Sequence, residues 1–424
     1  MVGDMKDYEL YQRILGLCEP WRVTDFLLDL ANKQVVVVVS HKTGIPLLCP
    51  ICKKECGVHD HRDRRWRHLD TCQLQTIIEA SVPRIKCPEH GVHLVKVPWA
   101  EPGSRFTALF ESMVIDWLLQ TNIKAVAGLV GLTWDEVDGI QQRAVDRGLA
   151  LRKPSSAKHI GIDETSFQKH HEYVTVITDR EHGLILEVID DRKKSSVVDW
   201  LKALSGKQRH SILTVSMDMW DGYIGAFLEC LPEAEKKICF DRFHIAKYFG
   251  DAVSKVRNME NQKLKEETGE SVLGGTKFQW LANSENTDNR TRRWFMVLTR
   301  STMETAKAWT IKEMAANLWH FNTRTWAEKG WKNLLEQIDS CDLPPVKKVG
   351  EMVKTHLWGI INAVVHDVTN AAAESFNARI QKIKSMACGF RNRERFRRTI
   401  LFHLGGLALY PATATATPLT HTKP

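Results

Sequence analysis

Nowhere in its 424 residues does the sequence carry an apolar run approaching the roughly 20 residues that cross a bilayer, so neither a transmembrane helix nor a membrane partner is expected. The opening stretch, Met1 to Glu9, has neither a basic n-region nor an apolar h-region, and no secretory signal is expected from it. The ten cysteines are scattered, several of them inside apolar runs, which fits reduced thiols in a cytoplasm better than a disulfide framework. An excess of acid is also lacking. Lys and Arg number 59 against 51 Asp and Glu, giving a net charge of +8 and a pI near 8.9, a balance that favours a polyanionic partner. With 43% hydrophobic and 26% charged residues, the chain reads as a soluble globular protein long enough for two to four domains.

Two knuckles stand in the first hundred residues, after a short helix around Tyr8–Leu17 and a strand over Gln34–Ser40. Cys49-Pro-Ile-Cys52 and Cys87-Pro-Glu-His90 place four soft or borderline ligands at the spacing of one structural tetrahedral zinc site. Cys56, His59, His61, Cys72 and His93 are competing ligands. Between the knuckles, Arg64, Arg65 and Arg67 alternate around Trp66, a pattern suited to a phosphate backbone and equally to a solvated ribbon face. A helix over Phe106–Leu119 follows, then a helix-turn-helix layout from Ile123 to Val145. Gly131 takes the turn, Thr133 and Glu136 form a capping box, and Val137, Ile140 and Val145 face inward. Asp135, Gln141, Gln142 and Arg143 are then expected to face outward toward DNA.

A basic linker leads to His159-Ile-Gly-Ile-Asp163, an apolar strand expected to end in a carboxylate. Strand-like runs recur at Tyr173–Thr178, Leu184–Ile189, Ile212–Met217 and Lys237–Phe240, with helices over Ser195–Leu204 and Tyr223–Leu231. The order β-β-β-α-β-α-β predicts a mixed α/β sheet of the ribonuclease H-like kind. Acids at strand ends in one sheet can converge, and converging carboxylates bind hard cations such as magnesium. Asp163 and Asp218 are the candidates, Glu374 the third. Asp221 and Asp241 compete for the second place; Asp221 is better explained as a helix cap, and Asp241 has Arg242 as a ready charge partner, so Asp241 is assigned a supporting role.

Residues 245–368 read as a helical interruption with many tryptophans, favoured as packed core over a base-stacking face. A last helix is expected from an N-cap at Thr369 or Asn370, burying Phe376, Ile380 and Ile383 and leaving Glu374 free to face a cleft. From Arg379 to Arg398 the run of Lys382, Lys384, Arg391, Arg393 and their neighbours fits a phosphate track. Residues 410–424, rich in Thr, Ala and Pro, are expected to be disordered.

Taken in order, Cys49-Pro-Ile-Cys52, Cys87-Pro-Glu-His90, the helix-turn-helix, Gly161-Ile-Asp163-Glu164, Val215-Ser-Met-Asp218, Asp241-Arg-Phe-His244, Asn370-Ala-Ala-Ala-Glu374-Ser-Phe-Asn377 and Gly389-Phe-Arg-Asn392 resemble the ISL-three family of insertion-sequence transposases. His90 stands where many relatives have cysteine. The resemblance implies a DDE catalytic domain with the triad Asp163, Asp218 and Glu374, supported by Asp241, His244 and Asn377. It implies two magnesium (or manganese) ions per active site, and cut-and-paste movement of an element with inverted terminal repeats. The expected partners are double-stranded DNA, as terminal repeats and as target, and a second copy in a homodimer on DNA; the expected location is the bacterial cytoplasm, at the nucleoid. On this reading the chain divides into a zinc ribbon (1–98), the helix-turn-helix (99–151), a first catalytic part (152–244), the helical insertion (245–368), a final helix with its basic segment (369–409) and the tail (410–424). A catalytically idle DNA-binding regulator and a nuclease without strand transfer are the alternatives.

Overall fold

The computed structural model of the chain describes residues 7–153, 157–168, 172–271, 273–281, 303–368 and 371–412, without the side chains of 7, 303 and 371–374. The expected N-cap at 369–370 and most of the expected disordered tail lie outside the described residues. The chain forms two compact units, one of residues Met1–Arg152 and Leu407–Pro424, the other of Lys153–Gly406.

The first unit is built on a five-stranded sheet. Strands β1 (Trp21–Asp29) and β2 (Gln34–His41) are antiparallel, β2 runs parallel to β6 (Leu74–Cys87), and β6 pairs antiparallel with β5 (Val58–Thr71) and with β7 (Gly91–Leu94). Cys72 and Gln73 both take positive φ, at 48° and 67°, which matches the hairpin turn to the right-handed twist of β5 and β6. Strand alternation sends Val35, Val37, Val39, Ile78, Ala80 and Val82 into one core. There Trp99 meets Trp21 and Trp66 edge-on, with ring centroids 5.0 and 5.4 Å apart. Strand β1 is not apparent from the sequence, because a bulge between Val23 and Asp25 breaks its alternation. A small hairpin of β3 (Leu47–Leu48) and β4 (Glu55–Cys56) carries the first knuckle. Besides α1 (Asp7–Ile14), the helices are α2 (Ala108–Gln120), α3 (Ile123–Val130) and α4 (Trp134–Leu151). The chain from Leu407 onward completes this unit: Leu407 fits against Gly148, where a Cβ would come within 2.6 Å of it, and Tyr410 donates its hydroxyl to Asp116 at 2.6 Å.

The second unit holds a mixed five-stranded sheet in the order β10 (Leu184–Ile189), β9 (Glu172–Asp179), β8 (His159–Gln168), β11 (Thr214–Met217) and β12 (Ile238–Phe240). The first three are antiparallel; β11 and β12 run parallel to β8. Helices α5 (Lys194–Ala203), α6 (Gly206–Ser211), α7 (Asp221–Cys230) and α8 (Ala234–Lys237) fill the crossovers. Strand β8 does not end at Asp163 as expected: its ladder with β9 continues to Gln168↔Glu172 and leaves the acid in mid-strand. After β12 the chain is helical, through α9 (Arg242–Thr268), α10 (Lys277–Leu281), α11 (Met303–Asn317), α12 (Arg324–Ser340) and α13 (Pro344–Val365). Helix α13 lies on β12 through Gly359, where a Cβ would stand 2.5 Å from the Phe240 ring, and through Asn362, which donates to the carbonyls of Glu235 and Ile238. Trp280 and Trp331 are buried in this core as expected, whereas Trp326 is exposed. Helices α14 (Ala371–Met386) and α15 (Arg393–Leu404) close the unit, with Phe376, Ile380 and Ile383 buried in a stripe.

Candidate active site and metal centre

Three carboxylates are brought together by strand register. In the parallel pair β11 and β12, Met217 stands opposite Phe240, so the next residues, Asp218 and Asp241, emerge side by side at the same end of the sheet. On the other flank of β11, Gly161 of β8 pairs with Ser216, and Asp163 follows two residues later on the same strand face. All three acids line one pocket with Gly161, Thr178, Arg180, Ser216, His244 and Asn377. Gly161 is required there by close approach, since a Cβ would lie 2.6 Å from Thr178 Oγ1.

The electrostatics of the pocket follow from that crowding. Burial pushes the Asp163 carboxyl above its ordinary range; hydrogen bonds from the Glu164 amide and from Asn377 Nδ2, the latter at 2.8 Å, pull the other way. Asp241 is raised to about 6, first by burial and then by the charges of Asp163 and Asp218, against its bond from the Phe243 amide and the nearby His244. His244 stands between the two strand-end acids, Nδ1 3.6 Å from Asp218 Oδ2 and Nε2 3.7 Å from Asp241 Oδ2. The expected Arg242 partner for Asp241 is not found: the Arg242 guanidinium lies over the Trp319 ring at 5.9 Å, because Asp241 caps α9 and the helix turns position 242 away. Asp221 opens α7 in its first turn and does not line the pocket. Glu374 lies on α14, one helical turn before Asn377; its side chain is outside the described residues.

In the first unit, Cys49, Cys52, Cys87 and His90 converge with all four ligand atoms within 4.8 Å of one another. Cys52 Sγ and Cys87 Sγ are 3.7 Å apart, and His90 Nδ1 is 3.5 Å from Cys87 Sγ and 3.9 Å from Cys49 Sγ. A tetrahedron with zinc–sulfur bonds of about 2.3 Å and a zinc–nitrogen bond of about 2.0 Å has edges of about 3.8 and 3.5 Å, so the four side chains fit the ion. Burial raises the Cys87 thiol, but the bonds from His90 and the Glu89 and His90 backbone outweigh it and bring it down to about 6, toward the thiolate that zinc takes. His93 turns aside, its Nε2 2.6 Å from the His90 carbonyl, and Cys72 is exposed in the β5–β6 turn. The helix-turn-helix has the expected joints. Asn122 caps α3, Gly131 takes φ 68° at its end, and Thr133 and Glu136 form the reciprocal capping box of α4.

Family models match the chain in the same order as these structures. One described as zinc-finger of transposase IS204/IS1001/IS1096/IS1165 covers residues 46–90, one described as Helix-turn-helix domain of transposase family ISL3 covers 95–145, and one described as Transposase covers 160–400. The chain belongs to the ISL3 family of insertion-sequence transposases. It is similar to the transposase for insertion sequence element IS1557 of Mycobacterium tuberculosis (strain CDC 1551 / Oshkosh), 24% identical over 95% of this chain and 96% of that one. It is also similar to the transposase for insertion sequence element IS1001 of Bordetella parapertussis, 24% identical over 84% and 88%.

Several polar residues expected to face DNA are turned inward in this transposase. Gln141 is only 2% exposed. Arg143 donates to Glu111, which is 1% exposed, at 2.6 and 3.0 Å, and lies over Phe106. The cause is a buried carboxylate on α2 that requires a cation from α4. Arg67 is likewise held by Asp70 and by the Phe110 ring, and Arg65 pairs with Glu79 across the strands at 2.8 Å, while Arg64 lies over Trp66. On the C-terminal segment Lys384 donates to the Ser166 carbonyl at 2.7 Å, and Arg393 binds Glu172 at 3.0 Å and covers Phe167. Gln142, Lys382 and Arg391 remain exposed. Sequence reasoning missed Arg180 and Thr178, which only the pairing of β9 with β8 brings to the pocket, and Glu164, which accepts from Tyr223 at 3.3 Å and faces Arg192 at 3.6 Å.

Proposed function

We propose that the second unit is a ribonuclease H-like DDE domain, with residues 245–368 as its helical insertion, in which Asp163, Asp218 and Glu374 hold two magnesium or manganese ions. The observation that carries this reading is the convergence of Asp163, Asp218 and Asp241 around the C-terminal ends of β11 and β12 in a sheet ordered β10-β9-β8-β11-β12. The donor set fits such ions: hard carboxylate oxygens, held so close that burial and mutual repulsion raise Asp241 and oppose ionisation of Asp163 until a cation arrives. Glu374 sits three residues before Asn377 on the same helix. When bound, a pair of divalent ions activates the attacking oxygen and stabilises the leaving one in an in-line displacement at phosphorus.

The chain's own residues do the rest. Asn377 fixes the orientation of the Asp163 carboxylate. His244 bridges the two strand-end acids, one ring nitrogen toward Asp218 and the other toward Asp241. The reaction is hydrolysis of a phosphodiester at an element end, followed by joining of the freed 3′-hydroxyl to target DNA. The zinc ribbon and helix-turn-helix carry recognition of the terminal repeats, with Arg65, Gln142, Lys382 and Arg391 as the exposed candidates for DNA contact. A homodimer brings two ends together. The test is a plasmid carrying the element's ends, incubated with the full chain and magnesium. Excision and strand joining are expected, lost in Asp163→Asn, Asp218→Asn and Glu374→Gln with end binding retained, and reduced less in Asp241→Asn. Binding without cleavage by the unaltered protein would instead identify a regulator.

A further inference from the structure

Two loops beside the carboxylates carry a flat, outward-facing pair that the chemistry above does not use. Trp220 follows Asp218 by two residues and is 42% exposed, unusually open for so large a ring. Its position is fixed from below: a Cβ on Gly222 would stand 2.6 Å from Trp220 Nε1, so the indole lies against the first turn of α7 and only glycine leaves it room. Arg192, from the β10–α5 connection, places its guanidinium 4.9 Å over the indole and 5.8 Å from the Tyr173 ring. The same guanidinium lies 3.6 Å from Glu164, the residue after Asp163, and Glu164 is held in turn by Tyr223, whose hydroxyl also bonds Thr175 at 2.8 Å. The pair is therefore anchored at one side to the backbone neighbour of Asp163 and joins the chain at the other two residues after Asp218.

A ring and a guanidinium held in place and left open to solvent offer what a nucleobase takes: a stacking surface and a cation over a π-face. Bases inside a duplex already stack on each other, so the base that can use this surface is one outside the helix. We propose that Trp220 and Arg192 seat an unpaired nucleobase flanking the phosphodiester held at Asp163 and Asp218. This rests on the phosphodiester reading of the site, and its substrate class is DNA with a single-stranded stretch next to the cut.

The experiment uses the full chain in calcium, which prevents turnover, at one fixed salt concentration. The probes are a blunt duplex oligonucleotide and the same duplex with a short single-stranded extension that carries 2-aminopurine at the junction. The unaltered protein is expected to bind the extended probe about tenfold more tightly than the blunt one and to quench the 2-aminopurine. Trp220→Ala should remove both effects, Trp220→Phe should keep most of the preference, and Arg192→Ala should lose part of it. No preference and no quenching in the unaltered protein overturns the proposal, even if Trp220→Ala fails to fold; a folded Trp220→Ala that retains both overturns it as well. Cleavage in magnesium is scored separately. A protein that cuts without preferring the extended probe refutes the seat alone, and one that prefers it but never cuts refutes the catalytic reading alone.

Discussion

Asn377 Nδ2 donates to Asp163 Oδ2 at 2.8 Å, joining α14 to the middle of β8 across 214 positions of sequence. The bond holds Oδ2 while Oδ1 accepts the Glu164 amide, so both carboxylate oxygens are oriented and each keeps a lone pair for a cation. Asn377→Ala is expected to reduce cleavage by about 10- to 100-fold, the usual cost of removing a residue that orients a metal ligand, and to raise the magnesium concentration needed for half-maximal rate. Asn377→Asp should be worse, because it adds a like charge where a donor was. End binding, measured in calcium, should not change in either variant; a rate near that of the unaltered protein would show that Asn377 only packs α14.

One zinc per chain is expected on metal analysis, lost in Cys49→Ser and Cys87→Ser and retained in Cys72→Ser, whose thiol sits in the β5–β6 turn away from the knuckles. Site formation and local folding are coupled, so chelation should raise hydrogen exchange over β3, β4 and β7 first. Native protein purified without zinc would refute the assignment.

Arg143 belongs to the interior charge network of the first unit. Arg143→Ala leaves Glu111 with Arg147 as its remaining cation, 3.3 Å away. The expected loss is about 2–3 kcal/mol in denaturant titration, at or below the low end for breaking a buried pair because Arg147 stays. Gln142→Ala, at an exposed position on the same helix, should leave stability within about 0.5 kcal/mol and act on DNA binding instead. The reverse pattern would return Arg143 to the DNA face.

His68 supplies a pH dependence. Burial lowers it from an ordinary 6.5 to about 4, and the Arg67 charge adds to the effect. The ring lies against the cap of α2, with Nδ1 2.9 Å from Thr107 Oγ1, which accepts the Phe110 amide. The unfolded chain therefore binds the extra proton between pH 6.5 and 4, and stability falls as pH drops through that window, by up to about 3 kcal/mol. His68→Gln should flatten that part of the stability–pH curve; an unchanged slope would exclude the imidazole as its source.

What could be read from the sequence was what is local. The knuckles and the Thr133–Glu136 capping box are set by spacings of three, and they stand in the structure as read. Asp163 and Asp218 announced themselves as acids in or after apolar strands. The closeness of Asp241 to Asp218 is not legible locally, because it depends on β12 running parallel to β11 in register, and the neighbouring Arg242 offers a partner that the turn into α9 removes. Gln141 and Arg143 are not outward-facing because α4 buries more than one stripe: Gln141 is buried, and Glu111 on α2, remote in sequence, draws in Arg143.

The return of the chain to its first unit has a consequence for biosynthesis. Arg147 of α4 donates to the Leu409 carbonyl, Leu407 fills the space over Gly148, and Tyr410 reaches Asp116, so a helix made early is completed by residues made more than two hundred positions later. A ribosome that has released only α4 has not yet released the segment that covers it. The nascent first unit waits for the whole of the second to be translated, and premature termination anywhere in the second removes the covering segment from the first.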